Sequence, residues 1–387
     1  MMKFLHTADL HLGKNFHEYS LIEDQSYMLG TLLDILTDLS YNALVIAGDV
    51  FDRSIPSPEA VGLFGGFLGK LKTSRPDIHV LVIPGNHDSP VRLGYGRELF
   101  SGLNIHIAEE PERSFDPVIV KVGGESCACF LLPFLYPGSP GASDVAGKGA
   151  VSPLGEAARR LEAARKKAAA GGAGLSLLAA HLFCSGGKSS DSERTFLGQA
   201  EPVDADMFSG FDYVALGHLH RPQKAGKNAW YSGSPIAYSF DEADHKKYFL
   251  SVEIAAGGRR VEQIPITPRR PLRRLSGSFG SFLRDKDESL KEAENCFLEI
   301  TLSGGVLTEN ALPILRQRFP YLLLVRQDEA RAAITAEAPV RKTGSRNVLD
   351  DFREFLEEIH GEADGGTLEL FGEILQSLEE EAQEQSL

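Results

Sequence analysis

Five short apolar runs in this chain each stop at a residue type that holds metal ions, and this repetition constrains the fold more than any other feature. Lys3 to Ala8 runs into Asp9-Leu10-His11, and Ala43 to Ala47 runs into Gly48-Asp49-Val50-Phe51-Asp52-Arg53. His79 to Ile83 leads to Pro84-Gly85-Asn86-His87-Asp88. Leu175 to Ala180 ends at His181, and Tyr213 to Leu216 ends at Gly217-His218-Leu219-His220. Runs of this length and composition read as buried strands. Side chains two apart on a strand share a face, so Asp9 and His11 are expected to reach one ion from a single strand. Gly48, Gly85 and Gly217 are expected to let the backbone turn sharply just before a ligand.

Amphipathic stretches lie between these runs. Residues 26–39, 57–72 and 91–100 carry apolar stripes at helical spacing. Residues 118–122 and 126–132 predict a hairpin around Gly123-Gly124. Residues 137–153 read as a loop rich in Gly, Pro and Ser, followed by a helix over 154–170 that Gly171-Gly172 ends. Strand and helix alternate through residues 1–265, the pattern of a layered α/β domain. Prolines and arginines near residues 264–271 mark a boundary. Residues 266–338 then read as a small α+β unit, with helices over 279–293 and 309–319 and strands near 296–302 and 321–326. Residues 346–387 offer two amphipathic helices, the first with Phe352, Phe355 and Leu356 and the second with Phe371 and Leu375. A helical hairpin this small cannot bury both faces, so it must dock on its own chain or on a partner.

A chain of 387 residues is too long for one compact core and predicts two or three domains. No apolar run approaches the roughly 20 residues of a membrane helix. The first strand begins at once, so no secretory leader is expected. The four cysteines, Cys127, Cys129, Cys184 and Cys296, are expected as free buried thiols in a reducing cytoplasm. The net charge of −14 argues against a nucleic-acid partner until it is located. From Asp350 onward, 13 acids against the single base Arg353 carry −12 of it, leaving −2 for residues 1–349. In that remainder Arg259, Arg260, Arg269, Arg270, Arg273 and Arg274 cluster around one acid, Glu262. Such a cluster is either a local field for phosphates or a solvated face without function.

Hard divalent ions that activate water take carboxylate, amide oxygen and imidazole ligands. Asp9, His11, Asp49, Asn86, His181, His218 and His220 supply seven such groups, with Asp49 the natural bridge between two ions about 3.5–4 Å apart.

D-L-H, G-D-V-F-D-R, G-N-H-D, the lone His181 and G-H-L-H together resemble the motif set of the calcineurin-like metallophosphoesterases. The opening H-T-A-D-L-H-L-G-K, the S-D-S-E-R after His181 and Y-S-G-S-P-I-A-Y-S-F from Tyr231 are similar to the bacterial double-strand-break-repair nuclease family. The resemblance implies a layered α/β/β/α sandwich (residues 1–265), a small α+β capping domain (266–338) and a C-terminal helical hairpin (346–387). It implies two Mn(II) ions per subunit, or Mg(II), one held by Asp9, His11, Asp49 and His220 and the other by Asp49, Asn86, His181 and His218. His87 would stabilise or protonate the leaving oxygen, with Asp52 holding that imidazole in its protonated form. A salt bridge from Asp52 to Arg53 is the alternative. DNA would be contacted by Arg53, Ser234, Arg269, Arg270, Arg273 and Arg274. Phe352, Phe355, Leu356, Phe371 and Leu375 would bind an SbcC-type coiled-coil ATPase. A homodimer through the helices near residues 57–72 and 91–100, within a heterotetramer, is also implied, with no membrane role. The expected function is an ATP-gated, Mn-dependent DNA exonuclease and endonuclease. A phosphodiesterase or phosphatase on small substrates, or a metal-free scaffold, are the competing classes.

Overall fold

In the computed structural model the described residues are 1–38, 41–136, 152–190, 193, 203–284, 288–303, 310–328, 352–353, 365–368 and 370–372. The chain forms two compact units, Met1–Asp328 and Glu329–Leu387. It opens with β1 (Met2–Thr7), a hairpin of β2 (Asn15–Phe16) and β3 (Tyr19–Ser20), helix α1 (Ile22–Asp38), β4 (Ala43–Ala47), helix α2 (Pro58–Ser74) and β5 (His79–Ile83). Two short helices, α3 (Pro90–Leu93) and α4 (Arg97–Ser101), lead to β6 (Ile105–Ile107). Next come β7 (Val118–Val122), β8 (Glu125–Leu132), helix α5 (Pro153–Ala170), β9 (Leu175–His181), β10 (Tyr213–Gly217), β11 (Gln223–Lys224) and β12 (Ala229–Tyr231). Strands β13 (Tyr248–Ala255) and β14 (Gly258–Pro265) form a hairpin, and β15 (Leu272–Gly277), β16 (Phe297–Leu302) and β17 (Leu322–Gln327) follow.

Two six-stranded sheets, in the orders β14-β13-β1-β4-β5-β6 and β11-β12-β10-β9-β8-β7, stack face to face. Strand periodicity explains the layering. Leu44 and Ile46 of β4 point to the core under α1 and α2, while Ala43, Val45 and Ala47 point between the sheets. β5 divides likewise, Val80 and Val82 against Leu81 and Ile83. On the far side, Phe130, Leu178 and Leu216 pack against Ala157, Ala158 and Leu161 of α5. The result is the expected α/β/β/α order. Two of the three long helices, α2 and α5, start as their sequences require: Ser57 Oγ accepts from Ala60 N–H at 3.3 Å and Ser152 Oγ from Gly155 N–H at 3.2 Å, each just before a proline.

Three local readings change. The single helix expected over 91–100 is two, because Gly94 ends the first and Gly96 adopts a left-handed φ of 78°. The helix expected over 279–293 is likewise in two pieces, Phe279–Leu283 and Glu288–Ala293. The arginine-rich stretch after Pro271 is a strand, β15, the edge of a three-stranded parallel sheet β15-β16-β17. Phe297 and Leu323 of that sheet pack against Phe16, Leu21, Tyr238 and Phe240. The four cysteines are free and buried. No helix among the described residues is long and apolar enough to cross a membrane. The loop expected over 137–153 falls almost wholly outside the described residues. In the second unit all three described pieces are helical, and the Phe352 and Phe371 rings stack with centroids 3.8 Å apart. Phe355, Leu356 and Leu375 lie outside the described residues.

Candidate metal centre

The carboxyl ends of β1, β4 and β5 in one sheet meet those of β9 and β10 in the other, and all seven candidate ligands lie there. The spacing of Asp9 and His11 predicts a shared strand face, but the two do not lie on a strand. β1 ends at Thr7, and both residues sit beyond it in left-handed backbone, φ 54° and 43°. They converge because their loop zips onto the next one: Asp9 N–H donates to Gly48 O and His11 N–H to Asp49 O, both at 3.0 Å. Asp49 (φ 50°) and His218 (φ 107°) are also left-handed. Four non-glycine residues held in a sparsely populated region at one place mark a functional site.

Of the three glycines expected to turn the chain before a ligand, only Gly48, with φ 93°, is left-handed. Gly85 and Gly217 are there for space, since a methyl group would overlap the Asp49 carboxylate at Gly85 and the Ala47 carbonyl at Gly217.

Ligand atoms of Asp9, His11 and His220 lie within 4.8 Å of one another, as do those of Asp9, Asp49 and His181. Asp49 Oδ2 is 3.7 Å from His11 Nε2 and 3.5 Å from His181 Nε2, so it stands between the two groups. Asn86 Oδ1 lies 3.0 Å from both His181 Nε2 and His218 Nδ1. Apart from Asn86, which is partly exposed, all are buried.

The hydrogen bonds test whether this set suits a cation. His181 Nδ1 donates to the Ala47 carbonyl at 2.8 Å, so in the neutral ring Nε2 carries a lone pair facing two more acceptors, Asn86 Oδ1 and Asp49 Oδ2. His11 Nε2 and His220 Nε2 face each other at 3.1 Å, and His218 Nε2 is buried without a hydrogen-bond partner. Converging lone pairs in a buried pocket need a positive charge among them. Burial opposes charge on His181, yet the Asp49 carboxylate pushes its pKa up to about 9. Burial likewise works against ionised Asp49, but His181 and His11 hold it well below the usual carboxylate range. Burial raises Asp9 to about 6 against the pull of His181 and His220. The donor set, two carboxylates, one amide oxygen and four imidazoles without a thiolate, fits hard divalent ions such as Mn(II) or Mg(II).

His87 borders this pocket, its ring centroid 4.7 Å from that of His11. Its Nδ1 donates to the Asp52 backbone carbonyl at 2.8 Å, and the Asp52 carboxylate is bound by Lys14 Nζ at 2.7 Å. At hydrogen-bond distance His87 Nδ1 thus meets the Asp52 carbonyl, while the Asp52 carboxylate, grouped with ring nitrogens of His11 and His87 within 4.8 Å, carries the Lys14 ammonium. Arg53 Nε stands 3.8 Å from Asp52, with its side chain 76% exposed.

The remaining arginines are not a bare cationic stripe. Arg270 is partly buried, bound to Asp24 at 2.6 Å and Glu23 at 2.9 Å and stacked on Tyr321. Arg269 pairs with Glu23, Arg273 with Glu292 and Arg274 with Glu299. Ser234 is buried, with Oγ donating to Ile236 O at 2.7 Å, which removes it from any DNA-facing surface. Asp88, Glu193, Glu242 and Lys247 surround the ligands without having been anticipated. The Asp88 carboxylate accepts from the N–H groups of Gly85, Val50 and Phe51 and so ties the Asp49 and Asn86 loops together. Its place in G-N-H-D was the one available signal.

A fold of two stacked sheets with such a centre at their joined carboxyl ends defines a metallophosphoesterase. The chain belongs to the calcineurin-like phosphoesterase family, whose sequence profile matches residues 2–222. It is similar to the SbcD component of nuclease SbcCD from Staphylococcus epidermidis, 29% identical over 367 residues that cover 93% of this chain and 94% of the relative. Among solved structures, a dimetal phosphatase from Danio rerio is 14% identical over 69% of this chain and 99% of its own, with a TM-score of 0.41. A Thermus thermophilus protein is 13% identical over 68% of this chain and 98% of its own, with a TM-score of 0.37. By family, the chain is a metal-dependent phosphodiester hydrolase.

Proposed function

We propose that the chain is the nuclease subunit of a DNA-processing complex, hydrolysing phosphodiester bonds with two Mn(II) ions, or Mg(II), held by the seven side chains. The observation that carries the reading is one pocket in which His11 and His181 face the Asp49 carboxylate, His220 faces His11, and Asn86 faces both His181 and His218. The likeness to a nuclease subunit along nearly both chains supports DNA as substrate. Asp9, His11, Asp49 and His220 would hold one ion, and Asp49, Asn86, His181 and His218 the other. Bound there, the ions supply Lewis acidity and an activated water. His87, aimed by the Asp52 carbonyl through Nδ1, delivers the proton that the leaving oxygen needs.

In this reading the enzyme acts as an ATP-dependent double-strand exonuclease and a single-strand or hairpin endonuclease, in the cytoplasm, in DNA repair, recombination and replication. Residues 266–338 cap the site, and Arg53, Arg269, Arg273 and Arg274 offer exposed guanidinium edges to the backbone of DNA. Residues 346–387 dock an SbcC-type coiled-coil ATPase, with Phe352 and Phe371 in the contact. A homodimer within a heterotetramer would bury Val91, Tyr95 and Leu99, which are 78%, 84% and 80% exposed in the single chain.

The test is purified protein with Mn(II), assayed on duplex ends, hairpins and a generic phosphodiester, with and without the partner ATPase and ATP. Cleavage of duplex ends and hairpins supports the reading. Turnover of the generic ester alone would make it a small-substrate enzyme.

A further inference from the structure

His220 is gripped from several sides. Its backbone N–H donates to Glu193, its carbonyl accepts from Lys247 Nζ at 3.0 Å and from Ser234 N–H at 3.2 Å, and its ring Nδ1 lies 3.4 Å from Glu242 Oε1. The other ring nitrogen, Nε2, faces His11 Nε2. An ionised carboxylate can only accept, so Glu242 keeps the proton on Nδ1 and the lone pair on Nε2, the form in which an imidazole can bind a cation.

Glu242 is fully buried and itself fixed. It forms an ion pair with Lys247 Nζ, and Ser239 Oγ donates to its Oε1 at 2.9 Å. Ser234 Oγ is 2.9 Å from the Lys247 ammonium and 3.4 Å from Glu242 Oε2. Taking a carboxylate and an ammonium out of water is a poor way to add stability, since packed apolar residues usually do as well. The pair's position directly behind a candidate ligand supplies the missing reason for it.

We propose that Glu242, locked by Lys247, is a positioning residue that sets the tautomer and direction of His220 and thereby the affinity of one of the two cation positions. The position built around Asn86, His181 and His218, which does not include His220, is expected to keep its affinity when Glu242 is changed. The inference rests on the two-ion reading above.

The experiment titrates Mn(II) into the full chain and three variants, followed by calorimetry and electron paramagnetic resonance. The variants are Glu242→Gln, which keeps an acceptor but not the charge, Glu242→Ala, and the double change Glu242→Met with Lys247→Met, which leaves no uncompensated ammonium. Circular dichroism and unfolding midpoints establish that each is folded. The wild type is expected to bind two ions with an exchange-coupled spectrum. Glu242→Ala and the double variant should lose about 10–100-fold in affinity for one ion only. At Mn(II) levels that saturate the wild type they should give a mononuclear signal, and Glu242→Gln should fall between. A folded variant that binds both ions as the wild type does, or loses both equally, overturns the positioning role alone. A wild type that binds fewer than two ions overturns the two-ion reading and this inference with it.

Discussion

His87 Nδ1 donates to the backbone carbonyl of Asp52 across 2.8 Å, while the carboxylate of that same Asp52 is bound by Lys14 at 2.7 Å. The imidazole is therefore aimed by a main-chain atom that no side-chain substitution removes. His87→Ala should lower cleavage by about 10²–10⁴-fold, the usual contribution of a positioned proton donor. Asp52→Asn, which keeps the carbonyl, should cost far less. Steady-state rates on one DNA substrate check both, with metal content measured in parallel. Equal damage from the two changes, or loss of metal from His87→Ala, contradicts this arrangement.

Gly217 sits where a methyl group would overlap the Ala47 carbonyl of the facing sheet. Gly217→Ala should destabilise the fold by about 1–3 kcal/mol, the range for overpacking, and should displace His218. Urea unfolding with and without Mn(II) measures it. An unchanged midpoint means that the sheets can separate more easily than their packing implies.

Arg270, two residues before β15, joins that segment to α1 through Asp24 and Glu23. Arg270→Ala leaves the buried Asp24 carboxylate without its guanidinium and should cost about 1–3 kcal/mol in stability. Arg273→Ala, whose side chain is 41% exposed, should leave stability nearly unchanged and weaken DNA binding at low salt. Unfolding midpoints and salt-dependent binding of duplex DNA separate the two roles.

His6 is fully buried beside Tyr213, its Nδ1 3.0 Å from the phenol oxygen, and burial lowers its pKa to about 3. In the unfolded chain it takes up a proton near its ordinary value of 6.5. Between those limits the unfolded state binds more protons, so stability falls as pH drops, by about 1.4 kcal/mol for each unit below 6.5. His6→Gln should remove that share of the acid sensitivity, read as a shallower change in urea midpoint between pH 7 and pH 5. A variant with the wild-type slope contradicts a neutral His6.

The strands and the convergence of the candidate ligands were legible because one physical rule writes both. β4 and β5 are buried on both faces, so they stand out as unbroken apolar runs, and a polar residue at the end of such a run has to have a use. The left-handed turns at Asp9 and His11 were not legible, since they exist only because the next loop offers Gly48 O and Asp49 O as acceptors. Nor was the fate of the arginines: Arg270 finds Asp24 and Glu23 some 246 residues earlier in the chain, a pairing that local charge counting cannot see. The supports of His220 were missed for a related reason. Glu242 and Lys247 stand among other charged residues, Asp241, Asp244 and Lys246, and read as surface until the fold buries them.

The central claim is that one carboxylate, Asp49, joins two cation positions. Crystals grown with Mn(II), with anomalous diffraction collected at the manganese edge, measure this directly. The account predicts two anomalous peaks about 3.5–4 Å apart with an Asp49 oxygen touching both. A single peak, or two that do not share Asp49, would contradict it.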